Sequence, residues 1–266
     1  MTTLETAQRW LADAERVAVL TGAGISKESG LPTFRGAEGL WRQRRPEQLA
    51  TPEAFARDPK TVWEWYDWRR SVVAKAEPNP GHLALVALEQ RVSDFTLVTQ
   101  NVDGLHDRAG SRRLLKLHGD IWTVRCTGCG AESVNRDVPL AEIPPRCSCR
   151  SLLRPGVVWF GESLPHQTLE ESVAAAQHAQ VFLVVGTSGV VQPAASLPLL
   201  ARGAGARIIE VNPEETPLTA AAHASFRSSS AEFLPQLVGG VACRPKPASD
   251  HQVEAPSPKG RRPVRV

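Results

Sequence analysis

The sequence predicts an α/β protein in which a parallel sheet is covered by helices and interrupted by one small module. Three observations predict it. Short apolar, β-branched runs alternate with helical patterns, as expected for a parallel sheet buried on both faces. Polar or glycine-containing turns follow those runs at 22–26, 100–103, 118, 186–188 and 212–214, and ligands of such sheets bind beyond the carboxyl ends of the strands. Residues 119–155 break the alternation with four paired cysteines and with Pro139, Pro144 and Pro145.

Taken in order, Thr2 and Glu5 have the spacing of a capping box, and Leu4, Ala7, Leu11 and Ala14 have helical spacing. Val17–Thr21 reads as a buried strand. Gly22-Ala23-Gly24-Ile25-Ser26 follows it. Glycines here admit a close backbone approach, and a helix N-terminus after them favours phosphate. Lys27 stands where a dinucleotide fingerprint has its third glycine, and no acidic residue ends a second strand about 20 residues on. Read alone, the turn fits a nucleotide site or a purely structural bend. Residues 31–36 lack periodicity and read as a long loop, a form often used for lids and binding loops.

Thr51-Pro52-Glu53 has the form of an N-cap with proline at the first helical position. Val62, Trp63, Tyr66, Arg69, Arg70 and Val73 predict a helix over 59–76. Tyr66, the single tyrosine, shares a face with Arg69. Either this is an amphipathic helix with a snorkelling arginine, or a phenol and a guanidinium are aimed together at a carboxylate. A further helix begins at Asn79-Pro80-Gly81-His82. Strands follow at 95–99, 114–117, 157–162, 181–185 and 206–211, with a helix at 165–179. Asn101 is placed to cap the helix after the second strand. Beyond Val238 the chain is rich in proline and basic residues, so 239–266 is expected to be a disordered basic tail.

The chain of 266 residues carries a net charge of +3. From Arg244 to Val266 there are six Lys/Arg against two Asp/Glu, so the tail supplies +4 and the remainder is about −1. The folded part therefore gives no support for a broad nucleic-acid surface. No apolar run approaches the roughly 20 residues of a membrane span. A cytoplasmic protein is expected, without membrane or specific nucleic-acid partners and monomeric.

Four of the five cysteines are Cys126, Cys129, Cys147 and Cys149, the two pairs separated by 17 residues. Close pairs across such a loop fit one tetrahedral four-thiolate zinc, which leaves no open position and so is structural. Cys243 is expected to be a free thiol. Among the histidines, His118 stands out by position: it ends a strand run, precedes Gly119 and lies close to Gln100, Asn101 and Asp103. A neutral imidazole there can take a proton from a hydroxyl. His82, His106, His166, His178, His223 and His251 are read as structural.

In order, Gly22–Ser26, Pro32-Thr33-Phe34-Arg35-Gly36, Thr99-Gln100-Asn101-Val102-Asp103-Gly104-Leu105-His106, Leu117-His118-Gly119, the cysteine pairs, Val158-Trp159-Phe160-Gly161-Glu162, Gly186-Thr187-Ser188 and Val211-Asn212-Pro213-Glu214 resemble the sirtuin family. The resemblance covers roughly Arg16 to Val238. It implies a Rossmann-like large domain (1–118 and 156–238) and a smaller zinc-binding domain (119–155, with helices from about 31–76 contributing). It implies an NAD-dependent protein-lysine deacylase that releases nicotinamide and O-acyl-ADP-ribose from acylated-lysine protein substrates. NAD contacts carry onto Gly22, Ala23, Gly24, Ile25, Phe34, Arg35, Gln100, Asn101, Asp103, Gly186, Thr187, Ser188, Asn212, Pro213, Glu214 and Ser230. His118 and Asn101 are implied as catalytic, and Val158, Phe160, Gly161 and Glu162 as the edge that pairs with substrate backbone. In one subgroup a Tyr-x-x-Arg recognises acidic acyl groups; Tyr66-Asp67-Trp68-Arg69 matches it and implies desuccinylase, demalonylase or deglutarylase activity. Three alternatives are a zinc-ribbon nucleic-acid binder, a hydride-transferring dehydrogenase and a mono-ADP-ribosyltransferase.

Overall fold

The structure, a computed structural model, describes residues 2–34 and 46–239. Arg35, Gly36, Cys243 and the tail from residue 240 onward lie outside the described residues. Helix α1 (Leu4–Asp13) leads into β1 (Arg16–Thr21) and a 3-10 turn (Ala23–Ser29). Helices α2 (Pro52–Arg57), α3 (Pro59–Lys75) and α4 (Pro80–Arg91) precede β2 (Asp94–Thr99), α5 (Leu105–Ala109) and β3 (Leu114–Lys116). Then come β4 (Gly119–Cys126), β5 (Glu132–Val134) and β6 (Leu153–Val157). The chain closes with α6 (His166–His178), β7 (Val181–Val185), α7 (Leu197–Gly203), β8 (Arg207–Val211), β9 (Ala224–Phe226) and α8 (Ser230–Gly239).

Six strands form a parallel sheet in the order β3-β2-β1-β7-β8-β9. The chain winds outward from β1 to β3, returns to lay β7 against the other side of β1, and winds outward again. Strand order therefore reverses between β1 and β7, and a crevice opens at the carboxyl ends of that pair. Alternate residues of each strand face opposite layers. Val17, Val19, Phe95 and Leu183 pack with Leu11 of α1, Leu85 of α4 and Leu237 of α8. Ala18, Leu20, Phe182 and Val184 pack with Ala176 of α6 and Leu197 of α7. Strands buried on both faces must be apolar along their whole length, and β7, Val-Phe-Leu-Val-Val, is.

A second, antiparallel sheet has the order β5-β4-β6. It shares a core with α2 and α3, built from Phe55, Trp63, Tyr66, Trp122, Val157 and Trp159. Gly119, at φ +79°, begins β4; a Cβ there would lie 2.2 Å from the Gly156 carbonyl oxygen, so only glycine permits this approach of β4 to β6.

Several expectations are corrected in detail. Thr3, not Thr2, caps α1, accepting from the Thr6 amide, while Thr2 donates to the His223 carbonyl. Asn101 does not cap α5. Gly104 takes φ +77° and swings the Asp103 carboxylate onto the Leu105 amide instead. The strand expected over 157–162 stops at Val157. The amides of Val158 and Phe160 donate to the carbonyls of His118 and Ala50, and Gly161 turns at φ +88°, so no ladder forms. Helix α8 carries Pro235 inside it, a poor helix signal; Ser229, whose hydroxyl accepts the Glu232 amide, caps its start, and its apolar contacts hold it.

Phe182 lies fully buried in the centre of the parallel sheet. Phe182→Ala is expected to cost about 3–5 kcal/mol of unfolding free energy, measured by urea denaturation. A loss below 1 kcal/mol would contradict this packing.

Candidate active site

The crevice at the β1–β7 junction opens into a cavity of about 880 Å³. Its floor is backbone. Gly22 donates to the Val185 carbonyl at 3.0 Å, and Gly24 donates to the Gly186 carbonyl at 2.8 Å. A Cβ on Gly24 would lie 2.7 Å from Gly186, and one on Gly186 would lie 2.5 Å from the Ile25 amide nitrogen. Gly186 also sits at φ +58°. The two turns can close on each other only because Gly22, Gly24 and Gly186 carry no side chain. Gln100 links the same layer, its Nε2 donating to Thr187 Oγ1 at 2.8 Å, and Asn212 Nδ2 donates to the Thr187 carbonyl at 2.8 Å.

His118 lines the cavity. Its Nδ1 lies 3.0 Å from the Gln100 carbonyl oxygen. A carbonyl only accepts, so Nδ1 carries the proton and Nε2 keeps a lone pair. Burial lowers the His118 pKa below the usual value, against that hydrogen bond. The imidazole is thus neutral near pH 7, the form needed in a general base.

Behind the cavity wall lies a buried polar network. Ser26 Oγ donates to Asp103 Oδ2 at 2.9 Å and accepts from Asn101 Nδ2 at 3.2 Å. Asn101 Nδ2 also reaches the Gly22 carbonyl at 3.1 Å. Burial pushes the Asp103 carboxyl up, opposed by its bonds from Leu105 and Ser26 and by the nearby Arg69 charge. His82 Nδ1 accepts from the Asn79 amide, and burial brings its pKa down to about 4. His106, also buried and neutral, contacts Thr21 Oγ1 at 3.0 Å; Thr21 in turn donates to Thr99 Oγ1, which accepts the Asn101 amide. These groups fix the polar turn after β2 against the glycine turn after β1.

At the other end of the cavity stand Tyr66 and Arg69 from α3, with Trp159. Tyr66 and Arg69 are both nearly buried, at 5% and 6% exposure. Burial raises the Tyr66 pKa to about 12, so the phenol keeps its proton. The Arg69 guanidinium lies 4.4 Å from the Phe34 ring centre, and among the described residues no carboxylate forms an ion pair with it.

Of the residues singled out in the sequence, Gly22, Ala23, Gly24, Phe34, Gln100 and His118 line the cavity from the β1–β2 side. Gly186, Thr187, Ser188, Asn212, Pro213 and Glu214 line it from the β7–β8 side, and Val158, Phe160, Gly161 and Glu162 from β6. Ile25, Asn101 and Asp103 are buried behind the surface. Ser230 is 1% exposed at the start of α8, packed where its carbonyl meets Gly81, and does not line the cavity. Arg35 lies outside the described residues. Sequence reasoning missed Trp65 and Val102 in the wall; an apolar residue on a helix, like Trp65, or in a polar turn, like Val102, looks identical whether it meets core or cavity.

The four thiols of Cys126, Cys129, Cys147 and Cys149 lie within 4.8 Å of one another. The Cys126–Cys149 and Cys129–Cys147 sulfur separations are 3.4 and 3.8 Å, close to the roughly 3.8 Å edge of a tetrahedron with ~2.3 Å zinc–sulfur bonds. The hydroxyl and amide of Ser151 hold the Cys149 thiol down, at about 6. The donor set fits one zinc and leaves no position for a substrate.

Sheet, crevice, imidazole and thiolate cluster have the layout of an α/β enzyme that handles a long phosphorylated ligand beside a structural metal. The Sir2 family model matches residues 22–193, and the chain belongs to the Sir2 family. It is 57% identical over 222 residues to the NAD-dependent protein deacylase of Aquifex aeolicus, covering 83% of this chain and 93% of that protein. The crystal structure of a Sir2 homologue–NAD complex superposes with a TM-score of 0.84 at 50% identity, over 88% of this chain and 92% of that one. A Sir2–p53 peptide–NAD+ structure gives a TM-score of 0.80 at 32% identity, over 90% and 98%.

Protein purified under reducing conditions is expected to hold one zinc per chain by atomic spectroscopy. Stripping it with a strong chelator should lower the melting temperature measured by circular dichroism. Metal-free protein with an unchanged melt would rule out the structural role.

Proposed function

We propose that this chain is an NAD-dependent protein-lysine deacylase that removes acetyl and acidic acyl groups, acting as a cytoplasmic monomer on acylated-lysine proteins. The observation that carries the reading is the His118 imidazole, locked with Nε2 unprotonated, in the same cavity as the glycine floor of the β1–β7 crevice. That floor offers backbone, not side chains, to a long ligand, which suits the pyrophosphate and ribose of NAD.

NAD, when bound, supplies an electrophilic ribose carbon and nicotinamide as leaving group. The residues of the chain do the rest. His118 Nε2 takes a proton from a ribose hydroxyl, and the Gln100 carbonyl steadies the imidazolium through Nδ1–H. Asn101, its amide nitrogen spent on Gly22 and Ser26, offers Oδ1 to ribose and water. Asp103, fixed by the Ser26 hydroxyl, and the backbone near Ile25 hold the nicotinamide amide. The segment 158–162 lines the side along which the peptide lies, with Phe160 at 43% exposure. Zinc maintains the β4–β6 sheet and stays outside the chemistry.

Acidic-acyl selectivity is read from Tyr66 and Arg69. A guanidinium at 6% exposure without an ion-paired carboxylate among the described residues is costly; a succinyl, malonyl or glutaryl carboxylate entering the cavity would pair with it.

Acetyl- and succinyl-lysine peptides incubated with NAD should lose their acyl groups in step with nicotinamide release, read by mass spectrometry. Absence of NAD-dependent loss from both peptides would overturn the proposal. In Arg69→Met, kcat/KM for the succinyl peptide should fall on the order of 100-fold, with a much smaller loss for the acetyl peptide. Equal losses on the two would refute acidic-acyl recognition.

The base must be neutral, and burial lowers the His118 pKa. Turnover should therefore fall with acid through a midpoint below the ordinary value of about 6.5. The measurement is the kcat–pH profile; a midpoint above 7 would argue against His118 as the base.

A further inference from the structure

Trp159 is joined to Tyr66 by a hydrogen bond whose direction is chemically fixed. An indole N–H can only donate, and Trp159 Nε1 lies 3.0 Å from the Tyr66 hydroxyl oxygen. The phenol oxygen is thereby the acceptor, and its own proton remains to be given elsewhere. Among the described residues no acceptor takes it, and Tyr66 lines the cavity next to Arg69.

The indole itself is held unusually firmly. Arg154 of β6 grips both carboxylate oxygens of Glu162, at 2.6 and 2.8 Å, in the two-point geometry of the stronger ion pairs. Its Nη2 also donates to the Val157 carbonyl. The guanidinium carbon lies 3.6 Å from the Trp159 ring centre, a close cation–π contact. Glu162 Oε2 accepts the Trp159 amide at 2.8 Å. Phe55 packs on the ring with centroids 5.3 Å apart. Backbone and ring of Trp159 are thus pinned from three sides, and the turn expected to meet substrate spends its acidic side chain on this clamp.

We propose that Trp159 is a positioning residue for acyl selectivity: held by Arg154 and Glu162, its indole N–H orients the Tyr66 phenol so that the phenolic proton is presented to the acyl carboxylate beside Arg69. A phenolic C–O–H has two favoured in-plane positions. With one side of the oxygen occupied by the Trp159 donor, the proton takes the other. The donated bond also polarises the O–H and makes it a better donor to an anion. A neutral acetyl group has no carboxylate to receive that proton, so the effect is confined to acidic acyl groups. The inference rests on the acidic-acyl reading of Tyr66 and Arg69.

The test is a double-mutant cycle in the full chain, with acetyl- and succinyl-lysine peptides of one sequence. Trp159→Phe keeps an aromatic ring between Arg154 and Phe55 and deletes only the donor. The ratio of succinyl to acetyl kcat/KM should fall roughly 3- to 10-fold, the worth of one hydrogen bond, and the loss should appear in KM. Added to Tyr66→Phe, the same substitution should cost nothing more in that ratio. Glu162→Gln, which weakens the clamp without removing the indole, should move the ratio in the same direction. An unchanged ratio in Trp159→Phe, or losses that add fully in the double variant, would overturn the coupling while leaving Arg69 in place. An unchanged ratio in Arg69→Met would instead overturn the acidic-acyl reading, and this inference with it.

Discussion

The structure depends on one close approach of backbone to backbone, at the carboxyl ends of β1 and β7. Strand order reverses there, so no crossover helix covers the gap. Gly22, Gly24 and Gly186 close its floor with hydrogen bonds instead of side chains, and any Cβ at these positions would collide with the facing turn. This floor puts the backbone of two chain segments, with no bulky side chain between them, at the base of a long cavity. The β8 turn at Asn212 and the β2 turn at Gln100 are then tied to the same layer through Thr187.

A cavity needs walls that do not collapse, and here the walls are of two kinds. On the sheet side they are polar and buried. Asn101, Asp103, Ser26, His106, Thr21 and Thr99 are linked to one another by hydrogen bonds, and His82 is tied to Asn79. Such a network rigidifies when satisfied and is costly when it is not. Burial also selects protonation states within it: both histidines are held neutral, and the Asp103 carboxyl is raised. On the module side the wall is aromatic. Trp63, Tyr66, Trp122 and Trp159 sit in one core between α3 and the antiparallel sheet. That sheet has short, partly exposed strands and little apolar sequence of its own, which is why a thiolate-bound metal suits it.

Much of this was legible in the chain. The strands β1, β2, β7 and β8 were readable because strands buried on both faces are mostly apolar, β7 along its whole length. The Cys126–Cys149 pairs were readable because thiolate ligands need fixed spacing. His118 was distinguishable from the other histidines by its place at a strand end. Other features were hidden. Asn101 looked like a helix cap, and only the left-handed Gly104 reveals that Asp103 does that work. Residues 158–162 are as apolar as a strand, yet their amides are drawn to His118 and Ala50. Ser230 stands in a serine run that departs from the family's glycine-containing pattern, and it is buried at the start of α8.

The sequence by itself determined the fold class, the four thiols that could hold a metal and the set of polar turns that gather at one edge of the sheet. These follow from local rules: periodicity, ligand spacing, and the need for glycine where backbones meet. The tertiary structure decided which atoms of those residues are left for a ligand. Hydrogen bonds between segments far apart in the chain make that choice. The Gln100 carbonyl selects the His118 tautomer, and the Trp159 indole spends the Tyr66 lone pair and spares its proton. No local pattern encodes such pairings, because each is set by the distance and direction between two groups that only folding brings together.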